Sequence, residues 1–114
     1  MAGTLNLRRG DIVTVSPPGE YGKPRPCVVV QSTLASALES ITFCPMTSFI
    51  RADVPLFRIT IEPNIGNGLR KPTQVAVDKI MTVHASRIGG KIGTILPEDM
   101  LRVTRALAVF LEIG

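Results

Sequence analysis

Apolar and polar positions alternate along most of this chain with the two-residue period of half-buried strands. "DIVTVS" (Asp11–Ser16) alternates directly after the turn-like "RRG". "PCVVVQS" (Pro26–Ser32) is a continuous apolar run, which predicts a strand covered on both faces. "TLASALES" (Thr33–Ser40) suits a helical turn or two, and "ITFCPM" (Ile41–Met46) reads as a third strand followed by the loop "TSFIRAD". A fourth strand is expected over "VPLFRITIE" (Val54–Glu62), with Pro55 near its start or on an edge. "PNIGNG" is a turn signal, "TQVAVDKIMTVHASRI" (Thr73–Ile88) gives one or two strands, and "GGKIGTI" gives a short turn and a strand. The last segment changes period. In "LPEDMLRVTRALAVFLEIG", Pro97 suits a first helical position, and Glu98 and Asp99 fall in the first turn, where acids oppose the helix dipole. Met100, Val103, Leu107 and Phe110 or Leu111 form a helical stripe, with Arg102 and Arg105 off it. Ala106, Val109 and Ile113 make a second apolar face, which calls for a second partner surface and predicts a homodimer. Together the pattern predicts a mainly β chain: a small, strongly curved sheet or partial barrel with one C-terminal helix against it.

The 114 residues suit one domain, residues 1–114, with a real core, and 45% hydrophobic against 19% charged residues excludes a disordered chain. The longest apolar runs, "CVVV" and "ALAVFL", are far short of the ~20 residues of a membrane span. "MAGTLNLRRGD" has no apolar stretch of signal-peptide length, so the expected location is cytoplasmic, with no membrane partner. Cys27 and Cys44 lie in apolar strands and read as inert core thiols. With one histidine and no CxxC there is no metal-ligand cluster, so no metal or other cofactor is expected. The net charge of +4 is localised. Between Ile65 and Ile95 lie Arg70, Lys71, Lys79, Arg87 and Lys91 against Asp78 alone, a basic surface that suits a polyanion such as nucleic acid. The few aromatics, Tyr21, Phe43, Phe49, Phe57 and Phe110, disfavour single-strand binding by stacking on several rings.

Chemistry concentrates in two loops. "PPGEYGKPR" joins the first two strands and holds three prolines and two glycines, so it is a shaped loop. Glu20 is at its tip, and Arg25 is fixed at its base between Pro24 and Pro26. A pre-oriented guanidinium fits a phosphate with little entropy lost on engagement. The plain alternative is a surface arginine paired with an acid. In "CPMTSF", Thr47 and Ser48 follow a strand directly, where hydroxyls bond either a ligand oxygen or their own turn.

These motifs in this order resemble the MazF/PemK (Kid) family of type II toxin–antitoxin toxins. "RRGDIVTV" is similar to the family's opening, "GEYGKPRPCVVVQS" to its glutamate-bearing loop, Arg-Pro and valine-rich strand, "FCPMTS" to its strand end, and "GLRKPTQVAVDKIMTV" to the segment leading into Asp-Gln. The resemblance covers nearly the whole chain. It implies an SH3-like, CcdB/PemK-like antiparallel sheet with a C-terminal helix, working as a homodimer. It implies a sequence-specific, metal-independent endoribonuclease (an mRNA interferase). Such an enzyme cleaves single-stranded RNA by attack of the ribose 2′-hydroxyl, leaving a 2′,3′-cyclic phosphate and a 5′-hydroxyl. The family's catalytic arginine falls on Arg25, its threonine on Thr47 and its loop glutamate, a weak candidate, on Glu20. Tyr21, Lys23, Ser48, Arg51 and Lys79 are implied RNA contacts, with Asp78 a weak one. The RNA is expected between the loops Pro17–Arg25 and Thr47–Asp53. The sequence departs from the family where Asp-Gln reads Asp78-Lys79, and where the arginine that some members carry two residues before that aspartate is Ala76. His84 reads as a surface or interface residue. The implied partner is a small acidic antitoxin that competes with RNA for the site. An alternative of the same scaffold is a CcdB-like toxin acting on DNA gyrase, but its Trp-Gly-Ile tail is replaced here by "FLEIG". A plain SH3-like RNA-binding module is the third reading.

Overall fold

The computed structural model describes residues 6–16 and 23–114. Seven strands and one helix follow in order: β1 (Asp11–Val15), β2 (Arg25–Val29), β3 (Ser40–Thr47), β4 (Arg58–Ile61), β5 (Thr73–Ala76), β6 (Met81–His84), β7 (Ile88–Thr94) and α1 (Pro97–Phe110). The strands pair antiparallel in the path β4-β5-β3-β2-β1-β7, with β6 also on β3. Among the described residues the path runs from β4 to β7 without joining its ends, so the architecture is a curved open sheet and not a closed barrel.

Strand periodicity splits the core into two layers. Ile12, Val28, Cys44, Met46, Ile59, Ile61 and Val75 face Val103, Ala106 and Leu107 of α1. Val13, Val15, Cys27, Val29, Ile41, Phe43 and Val83 pack together on the opposite face. The apolar run of β2 is thus covered on both sides, as its composition requires. Cys27 and Cys44 are free thiols in these two layers, and burial pushes both up to about 12, so neither is a thiolate near neutral pH.

Several local expectations change. Val54–Phe57 is a turn, with the amides of Phe57 and Arg58 both donating to the Val54 carbonyl, so β4 starts at Arg58 and not at Val54. The Pro55 ring and the lack of its amide fit that turn better than a ladder. Gly89 and Gly90 lie inside β7, not in a turn. Ala106 belongs to the core against the sheet, whereas Val109 and Ile113 are exposed as expected. The segment Thr73–His84 is two strands because a 3-10 turn, Val77–Lys79, interrupts it. The step of three residues from Met46 to Phe43 on β3 faces six residues from Val75 to Met81, so the turn bulges out of the ladder. It buries Val77 and lifts Asp78 and Lys79 from the sheet line.

Candidate active site

Alternation decides where the chemistry sits. On β2, Arg25 shares a face with Cys27 and Val29; on β3, Thr47 shares one with Phe43 and Pro45. Both side chains therefore project from the sheet face opposite α1. The β2–β3 register pairs Cys27 with Pro45, and two further residues along it set Arg25 opposite Thr47. Two cavities meet at this pair. One, of about 500 Å³, is walled by Phe43, Phe49, Met81 and Cys27, with Arg58 and Lys79 at its polar part. The other, of about 320 Å³, is bounded by Ser48, Gly68, Arg70, Lys71 and Ile92. Arg25, Met46 and Thr47 line both. The pair is a ridge between an apolar pocket and a basic one.

Arg25 is exposed and has no acidic partner among the described residues. Thr47 Oγ1 accepts the Phe49 amide at 3.1 Å. This is the turn role the sequence allowed, and it leaves the hydroxyl proton for a ligand, since one oxygen both accepts and donates. The following loop is pinned by the buried Gln74. Its Oε1 accepts the Arg51 amide at 2.9 Å, and its Nε2 donates to the Arg51 carbonyl at 3.0 Å and to Thr60 Oγ1 at 3.1 Å.

The other sequence candidates separate. Ser48 and Lys79 line the cavities. Lys23 is exposed and lines neither. Arg51 lines neither, and holds Asp53 through Nε at 3.2 Å and Nη2 at 2.9 Å, which raises its own pKa and lowers that of Asp53. Glu20 and Tyr21 lie outside the described residues. His84 is exposed; its Nδ1 accepts the Ser86 amide at 3.1 Å, and its Nε2 lies 3.7 Å from Glu39. The basic window also divides. Lys91 pairs at 3.2 Å with the buried Asp11 of the "RRGD" turn, and Arg87 donates to the Ser16 carbonyl at 3.5 Å. Arg70, Lys71 and Lys79 remain around the ridge.

Sequence reasoning missed Arg58. It stands opposite Ala76 in the β4–β5 ladder and donates to Asp78 from Nε at 2.8 Å and Nη2 at 3.1 Å. The guanidinium beside Asp78 holds that carboxyl below the usual range, and Asp78 in turn raises Arg58. Ala76, two residues before the aspartate, is thus faced by an arginine from the neighbouring strand β4. The available signal was an arginine inside "LFRITI", an otherwise apolar strand.

The basic pocket depends on an asparagine-built loop. Asn67, fully buried, accepts the amides of Asn64 and Leu69 on Oδ1 and donates from Nδ2 to the Glu62 carbonyl. Gly68, at φ +71°, brings the loop so close to β7 that a Cβ there would stand 2.2 Å from the Ile92 carbonyl oxygen. This packing sets Arg70 and Lys71 beside the ridge.

Comparison with known proteins agrees with this fold. Residues 8–111 match the family of PemK-like, MazF-like toxins of type II toxin–antitoxin systems. The chain is 42% identical, over 95% of its length and 99% of the relative's, to a protein of Mycolicibacterium smegmatis named as a probable endoribonuclease MazF. Solved structures share the fold. The Mycobacterium tuberculosis toxin MazF-mt6 superposes with a TM-score of 0.77 at 20% identity, over 91% of this chain and 98% of that one. A mycobacterial endoribonuclease in complex with its cognate antitoxin gives 0.79 at 19% identity, over 95% and 97%. MazF from a MazE–MazF complex of Deinococcus radiodurans gives 0.74 at 19% identity, over 95% and 97%. The matched family sets aside the CcdB-like alternative. With its fold shared and 104 contiguous residues from 8 to 111 matched by one family, this chain belongs to the PemK-like, MazF-like toxins of type II toxin–antitoxin systems.

Proposed function

We propose that the chain is an endoribonuclease toxin whose reaction centre is the Arg25–Thr47 ridge, cutting single-stranded RNA such as mRNA at a preferred sequence. The observation that carries this reading is that Arg25 and Thr47 both line each of two adjoining cavities, in a chain 42% identical to a relative named as an endoribonuclease. RNA crossing the ridge places one phosphate at Arg25. Attack of the neighbouring 2′-hydroxyl on phosphorus forms a phosphorane, and the developing charge on its oxygens is met by the Arg25 guanidinium. The 2′-hydroxyl proton passes to water, the bond to the 5′-oxygen breaks, and that oxygen takes a proton from water, giving a 2′,3′-cyclic phosphate and a 5′-hydroxyl. The Thr47 hydroxyl orients the phosphate or the 2′-hydroxyl through its free proton. Arg70, Lys71 and Lys79 hold flanking phosphates, which makes binding salt-dependent.

An antitoxin restrains the enzyme, as the cognate complexes of its structural relatives support. An acidic segment with apolar side chains fits the ridge, presenting carboxylates to Arg25 and apolar groups to the Phe49–Met81 pocket. The test is incubation of the purified protein with a long RNA in EDTA, followed by end mapping. Cyclic phosphate and 5′-hydroxyl ends are expected. RNA that is bound but intact overturns the enzymatic reading.

A further inference from the structure

The larger cavity beside the ridge has a use beyond electrostatics. Its wall is largely apolar: Cys27, Phe43, Pro45, Met46, Phe49, Ala76 and Met81 contribute, and the Phe49 ring is 72% exposed. At its polar part stands the Arg58 guanidinium, with only 9% of its side chain exposed. A guanidinium has five N–H donors. Asp78 takes one from Nε and one from Nη2, which leaves both on Nη1 and one on Nη2. Nη1 has no protein partner among the described residues, and none of their side-chain nitrogens is both buried and without a partner, so Nη1 reaches open space. Asp78 fixes the plane of the fork by two bonds and so fixes the direction of the remaining donors. An apolar slot with one exposed ring and a rigid, donor-only group suits a flat heterocycle with acceptors on its edge.

Resting on the proposed RNA substrate, we infer that this pocket takes the unstacked base of a nucleotide flanking the scissile phosphate. Phe49 lies against the base plane and Arg58 Nη1 donates to its edge. Arg58 is then a specificity-determining residue and Asp78 a positioning residue acting through it. A donor-only fork favours a base with a keto oxygen at the contacted edge, such as guanine or uracil. It disfavours adenine, whose N6 amino group would meet another donor. Continuity favours this occupant, because Arg25, Met46 and Thr47 form both the pocket rim and the ridge.

The experiment maps wild-type cleavage sites on a long RNA. It then measures binding of uncleavable oligonucleotides, 2′-deoxy at the scissile nucleotide, that differ only in the base at each flanking position. At one position wild type is expected to bind the adenine oligonucleotide about tenfold more weakly than its guanine or uracil counterpart. R58M should lose that discrimination, so that the adenine, guanine and uracil oligonucleotides bind it equally well. If circular dichroism shows R58M unfolded, R58K replaces it, keeping the charge beside Asp78 and losing the planar fork; the same loss is expected. Equal binding of all four bases by wild type, or unchanged discrimination in the folded variant, overturns the inference. If RNA is left uncut, the nuclease reading falls, and homopolymeric 2′-deoxy oligonucleotides of the four bases test the pocket alone: weaker binding of oligo-adenine than of oligo-uracil, lost in R58M, supports it, and equal binding overturns it.

Discussion

Thr47 has two jobs that a mutation can separate. Its oxygen accepts the Phe49 amide, and its proton is available to substrate. Thr47→Ser keeps both and should retain most of the rate. Thr47→Ala should slow single-turnover cleavage more than about fivefold, roughly 1 kcal/mol in the barrier, whereas a smaller drop would leave Thr47 as a turn residue only. Asp78 carries a different signature. Its carboxyl is held below its ordinary value, chiefly by the Arg58 hydrogen bonds, so its stabilisation is present above the unfolded pKa of about 3.9. That stabilisation is lost as pH falls through the lower folded value. Asp78→Asn should therefore cost about 2 kcal/mol at pH 7, and the gap between variant and wild type in urea melts should close below about pH 4. A gap constant from pH 7 to pH 3 would deny the ion pair its role.

At the scale of elements, the loop before β5 sets the basic pocket by backbone contact. Gly68→Ala forces a Cβ into the Ile92 carbonyl at a left-handed φ, and should cost at least about 2 kcal/mol. Gly90→Ala, with nothing within 4 Å of its Cβ, serves as the control and should shift the urea midpoint little. Equal midpoints for the two variants would contradict the close approach. The legibility of the sequence also divides by element. β3 and α1 were readable from period, with Pro97 marking the helix start, and β2 from its continuous apolar run; β1 was readable as a strand, but its alternation suggested one buried face where Ile12, Val13 and Val15 are buried on both. β4 was drawn too long, because Val54 and Leu56 look apolar while their backbone is spent on a turn. Gly89 and Gly90 looked like a turn yet extend β7; on the β1 side, a Cβ at Gly89 would meet Thr14 Oγ1 at 2.4 Å. Arg25 and Thr47 were readable as chemistry at strand ends. That they line the same two cavities, and that Arg58 reaches Asp78 from opposite Ala76, depends on pairing between distant strands, which no local pattern records.

For the molecule as a whole, the open apolar surface at the end of α1 stands out. Val109, Leu111 and Ile113 are each about half exposed or more, and a cavity of about 350 Å³ beside them is lined by Val30, Ile80, Leu107 and Ala108. A homodimer using this end of the helix is expected, and Val109→Asp should shift sedimentation toward the monomer. A wild-type monomer at micromolar concentration would contradict it. The central claim concerns the ridge itself: the Arg25 guanidinium, beside the Thr47 hydroxyl, stabilises a phosphorane on RNA. Single-turnover cleavage by Arg25→Lys beside wild type, with thermal unfolding of both, tests it most directly. Arg25 is exposed and makes no side-chain bond among the described residues, so the two melting temperatures should agree. The lysine variant should cut about 100-fold more slowly, since an ammonium lacks the planar fork. Near wild-type cleavage by a folded Arg25→Lys would contradict the account.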